Sequence, residues 1–295
     1  MPNRDSLWRL VVTPPMPGDW NMACDEALGA AVCAGKSLPV VRFFRWEPPT
    51  ISFGYSQQIA DEVDVAAVRA DGVGLVRRVT GGRAVLHADE ITYSIICAES
   101  DPVAAGGIIA TYTRISTGLA AGLRRLGIAA EMARSSEPLS GPRTDQATVP
   151  CFGSTSRAEL VVNGRKLVGS AQHRMRGLVL QHGSILLGPY HQRVVRYLQV
   201  DDAVRDRYAR RLAESTTSLA ELGWKGRETT LIESLAAGLA EALGIAWADD
   251  PFAAQGLSAS EEAEIERLAR EKYAAEWWNF SSQCARGMRD ERMDR

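Results

Sequence analysis

The stretch AELVVNGRKLVGSAQHRMRGLVLQHGSILL, residues 158–187, decides the fold class. Asn163–Gly164 is the strongest short-range hairpin signal in the chain, because both residue types accept the positive φ of a two-residue turn. The apolar run AELVV leads into that turn and KLVGSAQHR returns from it. LVLQHGSILL then reads as a further strand. Strands joined this way, with helices that do not alternate with them one for one, exclude a doubly wound dinucleotide fold. They indicate an α+β protein with a mixed, largely antiparallel sheet and packed helices.

On the amino-terminal side, DWNMACDEALGAAVCAGK (19–36) has apolar residues at helical spacing. Asp19 or Asn21 serves as the expected cap and Gly35 as the stop. PVVRFFRW (39–46) is β-rich, and Pro48–Pro49 forces extended backbone before another short strand. Residues 61–70 read as a short helix ended by Asp71–Gly72. GLVRRV runs as a strand into Thr80–Gly81–Gly82, and strands resume around a turn at Ala88–Asp89. Residues 108–126 form an amphipathic helix that stops at Gly127. Segment 134–150 is rich in Ser, Pro, Gly and Thr and reads as a long loop of the kind that often carries function. On the carboxy-terminal side, 228–243 is a helix closed by Gly244. Ser258-x-x-Glu261 is a capping box opening a helix with Ile265, Leu268 and Ala269 on one face and a Glu266–Arg270 pair. Trp277, Trp278 and Phe280 are expected to anchor that last helix, and residues 286–295 are nearly all charged.

Composition bounds the function. The 295 residues include 34 Lys plus Arg and 36 Asp plus Glu, so the net charge is -2, which argues against a protein that lives by neutralising nucleic-acid phosphates. No run of about 18 apolar residues exists, so no membrane span is expected. Arg4, Asp5 and Arg9 precede any apolar stretch, unlike a secretory signal. The five cysteines (Cys24, Cys33, Cys97, Cys151 and Cys284) are odd in number and form no C-x-x-C pair. Free thiols in a reducing cytoplasm are expected, with no metal site.

Three groups of residues are chemical candidates. RRVTGGRAVLHADEITYS (77–94) puts two glycines after a strand, where backbone can approach a ligand, with Arg77, Arg78 and Arg83 able to pair with an anion. A tight turn flanked by solvated arginines accounts for the same residues, and no nucleotide phosphate loop is present. Cys151 ends the polar loop and begins a strand, and the Asn163–Gly164 hairpin can bring Lys166 near it. A lysine beside a thiol favours the thiolate. A buried, inert cysteine and a solvated edge lysine are the competing readings. His87 and His182 flank strands near glycines, each either a base or a satisfied structural histidine. For Cys24, Cys33 and Cys97 core packing suffices.

Several blocks together and in order carry a resemblance. They are NMACDEAL (21–28), RWEPPTISFGYSQ (45–57), RRVTGGRAVLHADEITYS (77–94), NGRKLVGSAQHR (163–174), LQHGSILL (180–187) and EKYAAEWWNF (271–280). The chain resembles the lipoate–protein ligase and octanoyltransferase family, related to biotin–protein ligases. PCF followed by EL at 150–160 is similar to the cysteine block of the transferase branch. Arg83, where ligases usually have a third glycine, leans the same way.

The resemblance implies a biotin/lipoate protein ligase-like fold. It implies an acyltransferase domain over 1–250, with a core at about 36–248, followed by a helix and charged tail over 251–295. It further implies catalysis by Cys151 and Lys166. Substrate contacts are expected from Arg78, Gly81, Gly82, Arg83, His87, Gly169, Ser170, Ala171, His182 and Gly183, without a metal or a cofactor. The implied donor is octanoyl-acyl carrier protein, and the implied acceptor is a lipoyl-domain protein such as the H protein of the glycine cleavage system. The rival readings are an ATP-dependent lipoate–protein ligase, an octanoyl amidotransferase between lipoyl domains, and a non-catalytic acyl-binding protein.

Overall fold

A computed structural model describes residues 6–133, 159–248 and 256–280. In chain order the elements begin with strand β1 (Leu7–Val12), helix α1 (Gly18–Cys33) and strands β2 (Val40–Phe44) and β3 (Thr50–Phe53). Short helices α2 (Ile59–Glu62) and α3 (Val65–Ala70) precede β4 (Gly74–Arg77), β5 (Val85–His87) and β6 (Glu90–Ala98). Helix α4 (Gly107–Arg125), β7 (Glu131–Met132), β8 (Leu160–Val162), β9 (Arg165–Met175) and β10 (Leu178–Leu186) follow. Next come α5 (Asp202–Ser215), α6 (Glu228–Leu243), β11 (Ala246–Trp247), α7 (Ala259–Leu268), a π turn at Ala269–Tyr273 and α8 (Glu276–Phe280).

The strands build an eight-stranded sheet of order β11-β1-β2-β6-β10-β9-β8-β7 and a three-stranded sheet of order β4-β3-β5. In the large sheet β1 pairs parallel with β2 and β11, and the remaining neighbours are antiparallel. Central strand β6 alternates between two cores. Ile91, Tyr93, Ile95 and Cys97 pack with Ile115, Leu119 and Leu123 of α4 and Leu231, Leu235 and Leu239 of α6. Ile96 packs on the other face with Met22, Ala23 and Leu28 of α1 and Ile265 and Leu268 of α7. A sheet covered on both faces gives β6 its nearly continuous burial.

The hairpin at Asn163–Gly164 is present, with both residues at positive φ, 51° and 75°. One detail of it matters for the site. Val161 lies opposite Lys166 while Leu160 lies opposite Val168, so Leu167 is an extra residue on β9. Such a bulge re-aims the flanking side chains.

Several sequence readings need correction. Pro17, not Asp19 or Asn21, precedes the first turn of α1, and no side chain caps it. Asn21 is instead wholly buried, donating to Met16 O and Arg45 O. Cys33 is exposed, unlike the buried Cys24 and Cys97. The capping box at Ser258 and Glu261 is present. Beyond it Arg267 takes Glu264 and Glu271, and Arg270 takes Glu271, where a Glu266–Arg270 pair was expected. Trp278 is buried as an anchor, whereas Trp277 is 56% exposed. The loop 134–150, Cys151, Cys284 and the tail 286–295 lie outside the described residues.

Candidate active site

A cleft enclosing about 440 Å³ of empty space, its mouth included, opens on the α1 side of the large sheet. Its lining includes Met22 and Trp46 beside Arg78, Val85, His87, Gly169, Ser170, Ala171, His182 and Gly183. Ser52, Thr92 and Ser184 complete it. Residues from five strands converge, and in the large sheet this is because β10 pairs with β6 on one side and β9 on the other. Thr92 and Gly169 both face Ser184, and Ala171 faces His182. Glycine is required at 183, where a Cβ would meet Gly169 O at 2.5 Å and Tyr93 Cε1 at 2.7 Å.

Arg78 organises the cleft's polar groups. Its Nη1 donates to Ser52 O and Oγ, at 3.0 and 2.9 Å, and its Nε donates to Thr80 Oγ1 at 3.1 Å. Its Nη2 donates to Gly81 O at 2.9 Å and Arg83 O at 2.8 Å, fixing the glycine turn. Each hydroxyl, having accepted from Arg78, has its own hydrogen left for a histidine. Ser52 Oγ lies 2.7 Å from His87 Nε2, and His87 Nδ1 lies 2.7 Å from Glu90 Oε1. Thr80 Oγ1 lies 2.7 Å from His182 Nε2, and His182 Nδ1 lies 3.5 Å from Asp25 Oδ2. Two parallel chains result, Arg78–Ser52–His87–Glu90 and Arg78–Thr80–His182–Asp25. In both, the hydroxyl faces the imidazole Nε2 and the carboxylate faces Nδ1, so the ring's hydrogen toward the acid sits on Nδ1.

The acids are held ionised against their burial. Burial opposes the Glu90 charge, but His87 and bonds from Ser184 and Thr92 outweigh it and hold the carboxyl below its usual range. Asp25 is likewise buried and held low by His182, Arg42 and Ser94. His182 is pushed down by burial, with Asp25 opposing and Arg78 assisting. Trp46 stacks on His87 with ring centroids 4.1 Å apart and donates its N–H to Thr92 Oγ1 at 2.7 Å. With these polar atoms facing one another, the surface the lining presents to the cleft is mainly apolar.

Lys166 stands at the head of β9, three residues before Gly169. It is 1% exposed, not a solvated edge residue, and its Nζ donates to Glu159 Oε1 at 2.8 Å. The expected side chains Arg78, His87 and His182 and backbone at 169–171 and 183 therefore meet in one cleft. Gly81, Gly82 and Arg83 do not line it: Gly81 O and Arg83 O accept from Arg78, and the Arg83 guanidinium lies 3.6 Å from Glu62. Sequence reading did not single out Asp25, Ser52, Thr80, Glu90 or Trp46. Apart from Glu90, three residues from His87, each meets its histidine or threonine partner at least 35 residues away, so no local spacing marks them. Among the described residues no group of three or more His, Cys, Asp or Glu could hold a metal ion.

Residues 17–269 match the model of the lipoyl protein ligase A/B catalytic domain. The chain belongs to this family. Relatives named octanoyltransferase LipM include one from Kyrpidia tusciae, 43% identical over 92% of this chain and 98% of its own length. Another, from Moorella thermoacetica, is 41% identical over 92% of this chain and 97% of its own length. The lipoyl protein ligase family member described here is an enzyme, an acyltransferase. The bipartite lipoate protein ligase of Thermoplasma acidophilum superposes with a TM-score of 0.76 at 23% identity, covering 94% of this chain and 97% of that one. A lipoate-protein ligase A bound with ATP superposes at 0.73 and 23% identity, covering 94% and 99%. These two likenesses establish the lipoate ligase fold. No helix among the described residues is long and apolar enough to cross a membrane.

Proposed function

We propose that this acyltransferase moves an octanoyl group from octanoyl-acyl carrier protein to a lysine amine of a lipoyl-domain protein, the glycine cleavage H protein being the expected acceptor. The observation that carries the reading is near-full-length similarity to octanoyltransferases, joined to a cleft whose polar groups are satisfied among themselves. An eight-carbon chain seated there gains about 0.8 kcal/mol per buried CH₂.

The Cys151 thiolate attacks the donor's thioester carbonyl. The tetrahedral adduct expels the carrier's thiolate, which takes up a proton, and the acyl group stays on Cys151 as a new thioester. The acceptor amine then attacks that carbonyl, the carbon–sulfur bond breaks, and the amine's surplus proton goes to the departing Cys151 sulfur. Both steps exchange an already activated acyl group, so neither consumes nucleotide. Lys166, fixed by Glu159, is the charged group assigned to the thiolate and the incoming amine. Because Glu159 offsets part of the ammonium's field, orientation is a larger part of that role than for an isolated lysine. β8 pairs with β9 only as far as Val168. Beyond it every second N–H of β9 turns away from β10. One of the Gly169 and Ser170 amides therefore points outward and is the donor assigned to the oxyanion, a contact often worth about 2.7–4 kcal/mol.

Incubation with octanoyl-acyl carrier protein and no ATP tests the reading. Denaturing mass spectrometry should show an octanoyl adduct on Cys151, transferred on addition of apo H protein and absent in Cys151→Ser. A requirement for free octanoate and ATP identifies a ligase instead. An adduct on Cys24, Cys33, Cys97 or Cys284 removes Cys151 from the mechanism. Transfer only from an octanoylated lipoyl domain identifies an amidotransferase.

A further inference from the structure

Arg77, immediately before Arg78, is the last residue of β4, an edge strand of the small sheet. Its N–H donates to Asn279 Oδ1 at 2.7 Å and its carbonyl accepts from Trp278 Nε1 at 2.8 Å. Two side chains of α8 thus supply to this edge what a further strand would supply. The guanidinium works in the opposite sense. It donates to Trp278 O at 2.9 Å and Asn279 O at 2.7 Å, carbonyls of the last turn of α8. It also donates to Tyr55 O at 2.7 Å and Gln57 O at 2.8 Å, with a longer contact to Gly54 O at 3.3 Å. That loop in turn abuts the glycine turn. Tyr55 N–H donates to Thr80 O at 2.9 Å, and a Cβ at Gly54 would overlap Gly82 O. Asn279 is locked from below by its Nδ2, which donates to Tyr273 O and Ala275 O.

One buried residue therefore bonds the carboxy-terminal segment, the 54–57 loop and β4 at the position next to Arg78. A packing anchor needs only the buried face of Trp278. The two reciprocal backbone bonds and the convergence of five carbonyls on Arg77 are more than that. We propose that Glu276–Phe280 is a positioning device for the acyl cleft, with Trp278 and Asn279 setting the backbone of Arg77 and through it the aim of Arg78. This rests on the reading that the cleft takes the acyl chain. Arg77, Trp278 and Asn279 are positioning residues; none lines the cleft apart from its neighbour's contact.

Trp278→Phe keeps an aromatic ring in the stack and removes the N–H given to Arg77 O together with part of the indole's packing. Asn279→Ala removes the reciprocal bond. For each, amide hydrogen exchange over 78–83 should quicken by a factor of about 10 while α4 and α6 keep wild-type protection. KM for the octanoyl donor should rise by a factor of about 5 with kcat changed by less than about 2. Unchanged exchange over 78–83 and unchanged KM, with only a lower Tm, overturn the proposal and leave a packing anchor. If Asn279→Ala does not fold, Trp278→Phe decides alone. The exchange measurement needs no substrate, so it stands or falls separately from octanoyl transfer by the wild type.

Discussion

Arg78 satisfies five acceptors with one planar fork, and two of them are the hydroxyls that set the hydrogen positions of His87 and His182. An ammonium has three donors and no fixed plane, so lysine at 78 cannot serve Ser52, Thr80 and the glycine turn together. A hydroxyl that loses its donor is free to turn, and the imidazole it faces then loses a defined partner. Arg78→Lys should lower kcat/KM by a factor of about 10 or more, equivalent to about 1.4 kcal/mol of transition-state stabilisation. Steady-state transfer, with folding checked by circular dichroism, reads this directly. Wild-type kcat/KM in a folded Arg78→Lys protein would show that the two chains do not depend on the guanidinium. The same wiring would let the cleft take the apolar chain of the proposed function despite containing two histidines, three serines and a threonine. A buried polar group that already has its partners exposes little unmet demand to a ligand.

At the scale of elements, α4 and α6 cross where glycines of each helix lie directly against the other's backbone. A Cβ at Gly122 would meet Leu235 Cα and Ser234 O at 2.7 Å, and one at Gly238 would meet Gly118 O and Gly122 N at 2.4 Å. The obstacles are backbone, so no rotamer change relieves them and the helices must separate. Gly122→Ala should destabilise the protein by about 1–3 kcal/mol. It should leave KM for the acyl donor unchanged below the melting transition, because this crossing packs on the face of β6 away from the cleft. Calorimetry and steady-state kinetics test the two halves; an unchanged Tm or a raised KM contradicts this view of the crossing. Elements with a local signal were legible. The 163–164 hairpin needs only two residues of the right backbone freedom, and the Ser258–Glu261 box only three-residue spacing. β1 escaped although Trp8 and Leu10 alternate with more exposed neighbours, since six residues before a Pro-rich stretch make a weak pattern. Two-residue β7 and β11 have no period to read, and their pairing exists only once β8 and β1 are in place. The site was legible as chemistry but not as wiring. Its glycines and arginines stand together in sequence, whereas Asp25 reaches His182 only because α1 lies across β10.

Across the whole molecule, the buried histidines couple folding to pH. His191 is pushed down to about 4 by burial, with a bond to Gly188 and the charges of Glu90 and Glu221 opposing and Lys166 assisting. Burial also pushes His182 and His173 down, the latter helped by His182 and Lys272. In the unfolded chain these imidazoles titrate near 6.5, so between that value and the folded one the unfolded state binds more protons. Stability therefore rises with pH through this window and is lost as pH falls below about 6.5. The depressed carboxyls of Asp25 and Glu90 add a loss of the same sign at lower pH, as pH falls below their unfolded values. His191 contributes on the order of 3 kcal/mol for a depression of this size. His191→Gln keeps a side chain able to bond Thr216 Oγ1, which lies 3.0 Å from His191 Nε2, and removes the titrating group. Urea unfolding between pH 7 and 4 should then show a slope against pH reduced by up to about 1.4 kcal/mol per unit, one proton's worth. The acid-stable variant should lose some stability at neutral pH, where His191 is already neutral and better fitted. A slope identical to wild type would mean that His191 is reached by water and charges without cost. The acid sensitivity would then belong to His182 and His173, which face the cleft side of the sheet.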